Sequence, residues 1–164
     1  MSARHGPVAD PELRLGWVIV YVDEPADASA FYERAFGLRP EFAAPDGSYA
    51  QLDTGSTKLA FASYLLGEKN FESGVRRASR DGPPANIEIT LVADDVDAAH
   101  TRALDAGCTA LAAPEDKPHG QRVAYIRDPF GTLIGSPRPS SRPLRRTPPR
   151  DSQKSRIVTS GVSI

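Results

Sequence analysis

The chain has 164 residues, 40% apolar and 25% charged, which suits one globular domain or two very small fused modules. Its one cysteine, Cys108, excludes a disulfide framework or a paired-cysteine metal site within the chain, and points to a reducing, cytoplasmic setting. No apolar run approaches the ~20 residues of a membrane span, and the opening MSARHGPVADPELR lacks the apolar stretch of a secretory signal.

The charge is unevenly spread. Residues 1–137 hold 13 Lys/Arg against 20 Asp/Glu, and residues 138–164 hold seven Lys/Arg against Asp151 alone. The overall −1 is therefore the sum of an acidic body at −7 and a basic end at +6.

Residues 1–13 read as a flexible lead-in. LGWVIVYV (15–22) is β-branched, aromatic and almost wholly apolar, and predicts a strand covered on both faces. Asp23-Glu24-Pro25 predicts a helix start with an acidic cap and proline in the first turn. Ala28, Phe31, Tyr32, Ala35 and Phe36 then recur on one helical face, and Gly37 stops the helix. Strands are expected at 39–43, 48–53 and 57–63, separated by the turns Pro45-Asp46-Gly47 and Asp53-Thr54-Gly55.

Residues 65–85 read as a polar connector, after which the first pattern returns. IEITLVA (87–93) predicts a strand, Asp94-Asp95 a helix cap, and Val96, Ala99, Ala103 and Leu104 the apolar face of a helix ended by Gly107. Strands follow at 108–112, 121–127 and 132–136, the last introduced by the turn Asp128-Pro129-Phe130-Gly131. A βαβββ unit has thus occurred twice, over 14–64 and 86–137, at a spacing of about seventy residues. Residues 138–164 combine Pro, Ser and Arg without apolar periodicity, and are expected to be a disordered basic tail. Lacking interleaved aromatics, that tail reads as solvated, with neither nucleic acid nor membrane as its partner.

The doubled unit, with VIVYVDEPADASAFYERAFGL in one half and ITLVADDVDAAHTRALDAG in the other, resembles the vicinal oxygen chelate superfamily. That superfamily includes glyoxalase I, extradiol dioxygenases and bleomycin-resistance proteins. RDPFGTLI (127–134) resembles the turn and final strand of its members, and KPHGQRVAY (117–125) the stretch that leads into it. The resemblance implies an α+β fold in which two tandem βαβββ units form a curved mixed-sheet cup with helices outside, and it implies a homodimer. It further implies four inward positions from which enzymatic members chelate a divalent metal. Carried onto this sequence, these are Trp17, Phe61, Glu88 and Gly135.

Of those four, Glu88 alone offers an oxygen donor, whereas a hard cation needs several. The resemblance thus leads to an expected site without a metal or other cofactor. Strand alternation groups Trp17, Ile19 and Tyr21 on one face, and Glu88 with Thr90 on another. With Phe61 from the fourth strand, Tyr125 from the seventh and His119 from the preceding loop, they would line an aromatic cup with one carboxylate. Such a cup suits a planar, partly cationic organic molecule.

Other chemistry is poorly signalled. HExxH, GxSxG, GxxxxGK and GxGxxG are all missing from the sequence. Cys108 reads as a small buried residue, Asp128 as the organiser of its own turn, and His100 as a helical residue outside the cup. Two functions follow. One is a non-catalytic binder of a drug or an aromatic, cationic metabolite, of bleomycin-resistance type. The alternative is a metal-dependent glyoxalase-type lyase, isomerase or dioxygenase using Glu88, His119 and a residue of a partner chain.

Overall fold

The computed structural model describes residues 13–118 and 120–139. The first unit runs β1 (Trp17–Val22), α1 (Pro25–Phe36), β2 (Pro40–Ala43), β3 (Tyr49–Leu52) and β4 (Lys58–Ser63). A helix α2 (Tyr64–Asn70) follows. The second unit runs β5 (Glu88–Thr90), α3 (Val96–Ala106), β6 (Thr109–Asp116), β7 (Arg122–Arg127) and β8 (Leu133–Pro137). Among the described residues the strands form two four-stranded sheets, ordered β1-β4-β3-β2 and β5-β8-β7-β6. In each sheet the first strand pairs in parallel with the last, and the other pairs are antiparallel. The expected α+β architecture of two repeated units is the one observed. Most of the expected lead-in and most of the basic tail lie outside the described residues.

Helices α1 and α3 cover one face of the sheets because their apolar residues fall on one side. Ala28, Phe31, Tyr32 and Ala35 of α1 are buried with Val22, Leu52, Leu59, Ile126 and Ile134 beneath them. The cap chemistry differs between the two helices. Asp95 accepts a bond from the Ala98 amide at 3.0 Å, as the sequence suggested. Glu24 stands at the corresponding place before α1 but makes no side-chain cap, so Pro25 alone marks that start. At the other end of α1, the Arg102 guanidinium from α3 donates to the Arg34 carbonyl at 3.0 and 3.2 Å, supplying charge where the helix exposes carbonyls.

The units share one core. Phe31 of α1 meets Phe130 of the β7–β8 turn edge-on at 5.7 Å. The Tyr32 hydroxyl donates to the buried Asp128 carboxylate at 2.7 Å, joining residues 96 apart in sequence. Asp128 does organise its own turn, since its other oxygen accepts from the amides of Phe130 and Thr132 at 3.0 and 2.7 Å. Burial pushes the Asp128 carboxyl and the Tyr32 phenol upward, and their mutual charge adds to the rise at Tyr32. Cys108 lies in the same core, its thiol pushed up to about 12 by burial and then by Asp128.

Two expectations need correction. Strand β1 is not covered on both faces: Val18, Val20 and Val22 pack against the helices, while Trp17 and Ile19 are 58% and 45% exposed. The connector is not simply a polar loop. It begins with α2, capped by Ser63, which accepts from the Leu66 amide at 3.1 Å. It is then pinned by the Tyr64 hydroxyl, which accepts from the Ala78 amide at 3.0 Å, and by buried Arg127. That guanidinium donates to the carbonyls of Arg80 and Gly82 at 2.6 and 2.7 Å.

Candidate functional site

The face opposite α1 and α3 is the concave one, and register decides which side chains reach it. On the first sheet Trp17, Ile19 and Tyr21 of β1 stand opposite Lys58, Ala60 and Ala62 of β4. Phe61 therefore points the other way. It is fully buried and packs edge-on against Tyr32 at 4.8 Å between centroids, in the core under α1. The expectation that Phe61 lines the cup is thus corrected by one residue of register, and one residue inverts the face. The pairing that sets Thr90 against Gly135 in the second sheet sets Ile19 against Ala60 in the first. Ala60 is the residue at that place.

Trp17 is held on this face by Gln51, whose carbonyl oxygen accepts from the indole N–H at 2.8 Å and from the Tyr49 hydroxyl at 3.0 Å. The Gln51 amide donates onward to Glu41 at 2.7 Å, and the Lys58 ammonium bridges Glu41 and Asp53 at 2.8 and 3.2 Å. Those bonds hold both carboxyls below their usual range, led in each case by the bond from Lys58. The network leaves the ring of Trp17 oriented and its surface open. Tyr21 shares the strand face but not the openness. It lies beneath α2, edge-on to Phe71 at 6.3 Å and against Gly67. A methyl group at Gly67 would stand 2.6 Å from Val75 and 3.0 Å from the Tyr21 ring, so this approach requires glycine.

The second sheet gathers Glu88, Thr90 and Tyr125 as anticipated. They line a cleft of about 310 Å³ together with Lys117, Gln121 and Val123. The Thr90 hydroxyl donates to Glu88 Oε1 at 3.0 Å. The same oxygen lies 2.0 Å from where a methyl group on Gly135 would stand, with the Tyr125 ring 3.5 Å from that point. The carboxylate thus lies across the bare backbone of β8, in the space that a side chain at 135 would need. Among the described residues no cation pairs with Glu88.

Lys117 and Gln121 are functional candidates that sequence reasoning missed. Both flank the loop of KPHGQRVAY, and the bond from the Lys117 amide to the Gln121 carbonyl at 2.8 Å closes a hairpin that brings them together. Lys117 is already paired, with Glu115 at 2.6 Å. His119 lies outside the described residues. His100 is on α3, away from the concave face, as expected.

The donor set does not fit a chelated divalent cation. Trp17, Ala60, Glu88 and Gly135 together provide one carboxylate, and an indole N–H only donates. Among the described residues no three His, Cys, Asp or Glu side chains come together as a metal would require.

Comparison with known proteins gives a consistent lineage. The profile of the Glyoxalase/Bleomycin resistance protein/Dioxygenase superfamily matches residues 14–135. An uncharacterized protein of Mycobacterium bovis, Mb0911c, is 32% identical over 114 residues, which is 67% of this chain and 73% of that one. Rv0887c of Mycobacterium tuberculosis, also uncharacterized, has the same identity over 114 residues, and the match spans 65% of its length. Among solved structures, a glyoxalase/bleomycin resistance protein/dioxygenase family enzyme from Burkholderia phytofirmans PsJN superposes with a TM-score of 0.65. It is 20% identical, and the match covers 77% of this chain and 98% of that one.

Proposed function

We propose a function on one premise: this chain belongs to the glyoxalase/bleomycin resistance protein/dioxygenase superfamily. Within that superfamily we read it as a receptor that holds a small organic molecule, aromatic or cationic, in the concave cleft without metal and without chemical turnover. One observation carries the reading. The positions that correspond to those from which enzymatic members of the superfamily chelate a metal hold an indole, an alanine, a glycine and a single carboxylate that lacks a cationic partner among the described residues.

Glu88 supplies the charge that selects a cation or a hydrogen-bond donor. Thr90 fixes its rotamer, and the ring of Tyr125 walls the cleft beside it. Trp17, opened toward solvent by Gln51, offers a flat surface for stacking on the neighbouring sheet. Tyr21 contributes by supporting α2, and His119 is proposed to border the same cleft from the β6–β7 loop. The exposed apolar surface of Trp17 and Ile19 supports a homodimer in which a second copy covers part of that face. The single cysteine suits a cytoplasmic setting, and among the described residues no helix is long and apolar enough to cross a membrane.

Thermal-shift screening with aromatic amines and cationic drugs tests this function. A receptor gains RT ln(1+[L]/Kd) in stability, about 2.7 kcal/mol at a hundredfold excess over Kd. Metal analysis of protein purified without chelators completes the test. One equivalent of a divalent metal per chain, lost in Glu88→Ala, would overturn the reading in favour of a metal-dependent enzyme.

A further inference from the structure

Glu88 and Thr90, which line the polar cleft on the second sheet, also line a second cavity. This one, of about 330 Å³, is a slot between the two sheets, bounded by Val18 and Leu59 on one side and by Ile87, Ile89 and Leu91 on the other. It exists because β1 and β5 are both edge strands, each paired on one side only, to β4 and to β8. Its walls are mostly aliphatic, and Ile87 remains 68% exposed, so the slot has apolar surface still in contact with water. Lys58 also borders it, but that ammonium is committed to Glu41 and Asp53. Glu88 also borders the slot, and its carboxylate has no cationic partner among the described residues.

We infer that the ligand is an amphiphilic amine whose ammonium group rests on Glu88 while its apolar part fills the slot between β1 and β5. This rests on the receptor reading above and assigns each end of the ligand a place. The geometry supports it in two ways. Thr90 donates to Oε1 of Glu88, while Oε2 has no hydrogen-bond partner among the described residues and stays free for an ammonium group. Gly135 lets the carboxylate lie across β8 beside the polar cleft, and Glu88 is a residue common to that cleft and the aliphatic slot. A free carboxylate beside an aliphatic wall complements a cation joined to an apolar chain, and it repels an anion of the same shape.

A chain-length series tests the assignment. Butyl-, hexyl- and octylammonium, with alcohols and carboxylates of matching length, are titrated into the full chain by calorimetry and by the emission of Trp17, the sole tryptophan. The inference expects ammonium affinity to rise about fourfold per methylene until the slot is filled. It expects matched carboxylates to bind at least threefold more weakly. Glu88→Gln should erase the preference for ammonium over alcohol and keep the dependence on length. Ile87→Asn, at a position 68% exposed, should flatten the dependence on length. If aromatic amines bind through Glu88 and the alkyl series shows no gain with length, the slot is not the apolar subsite and this inference fails while the receptor reading stands. If neither series binds, both fail.

Discussion

Replacing Phe61 by alanine separates the two faces of β4 most sharply. Phe61 is fully buried, and its ring meets Tyr32, also fully buried, at 4.8 Å. Phenylalanine-to-alanine changes in such cores cost about 3–5 kcal/mol, of which an edge-on ring pair accounts for about 0.5–1.5 kcal/mol. Against a total stability of about 5–15 kcal/mol, that is a large share. At about 3 °C per kcal/mol, the melting midpoint should fall by about 10–15 °C. Trp17→Ala is the matched control on the concave face. Trp17 is 58% exposed and loses one hydrogen bond to Gln51, so it should cost about 1 kcal/mol. Urea unfolding followed by far-UV circular dichroism reads both variants. A Phe61→Ala protein as stable as wild type, beside a strongly destabilised Trp17→Ala protein, would refute the assignment of faces.

Three further outcomes follow from the core and the cleft. Gly135→Ala should fold with stability within about 1 kcal/mol of wild type, because the displaced atom is the far end of the flexible Glu88 side chain. It should nonetheless weaken amine binding severalfold, and unchanged affinity would count against the carboxylate's resting place. Asp128 holds a carboxyl raised by burial, so the folded state keeps its proton more tightly than the unfolded chain. Stability of wild type relative to Asp128→Asn should therefore be greatest below the ordinary aspartate pKa and fall as pH rises through the raised one. A difference that stays flat across that range in urea melts contradicts this. Cys108, with its thiol pushed up to about 12, should react with iodoacetamide at pH 8 only as fast as the protein unfolds. Rapid labelling of the native protein would place the thiol outside the core.

Much of this fold is legible in the sequence because local signals and tertiary packing agree. The spacing of Ala28, Phe31, Tyr32 and Ala35, the Asp95 cap and the recurrence of the βαβββ pattern each point to the element that forms. Phe61 is misread for a definite reason. In β4 Leu59, Ala60, Phe61 and Ala62 are all buried, so the period of two disappears from the sequence, and two alanines conceal which face is concave. Helix α2 escapes notice because it is seven residues long and contains Gly67, a residue needed for contact with Tyr21 and Val75 rather than for helicity. Of the cleft, Glu88 and Thr90 are readable from alternation and Tyr125 from its place in the seventh strand, whereas Lys117 and Gln121 require the hairpin that joins β6 to β7. The bond from Tyr32 to Asp128 spans 96 residues, and each partner has a sufficient local reason to be where it is.

The central claim is that Glu88 acts alone, as a charge for a ligand and not as one member of a metal shell. Titration of benzylammonium into wild type and Glu88→Gln, with and without EDTA, tests it directly through Trp17 emission. Saturable binding that ignores the chelator and weakens about three- to tenfold in the variant is the result expected. Binding that vanishes with EDTA and returns with a divalent metal would contradict it.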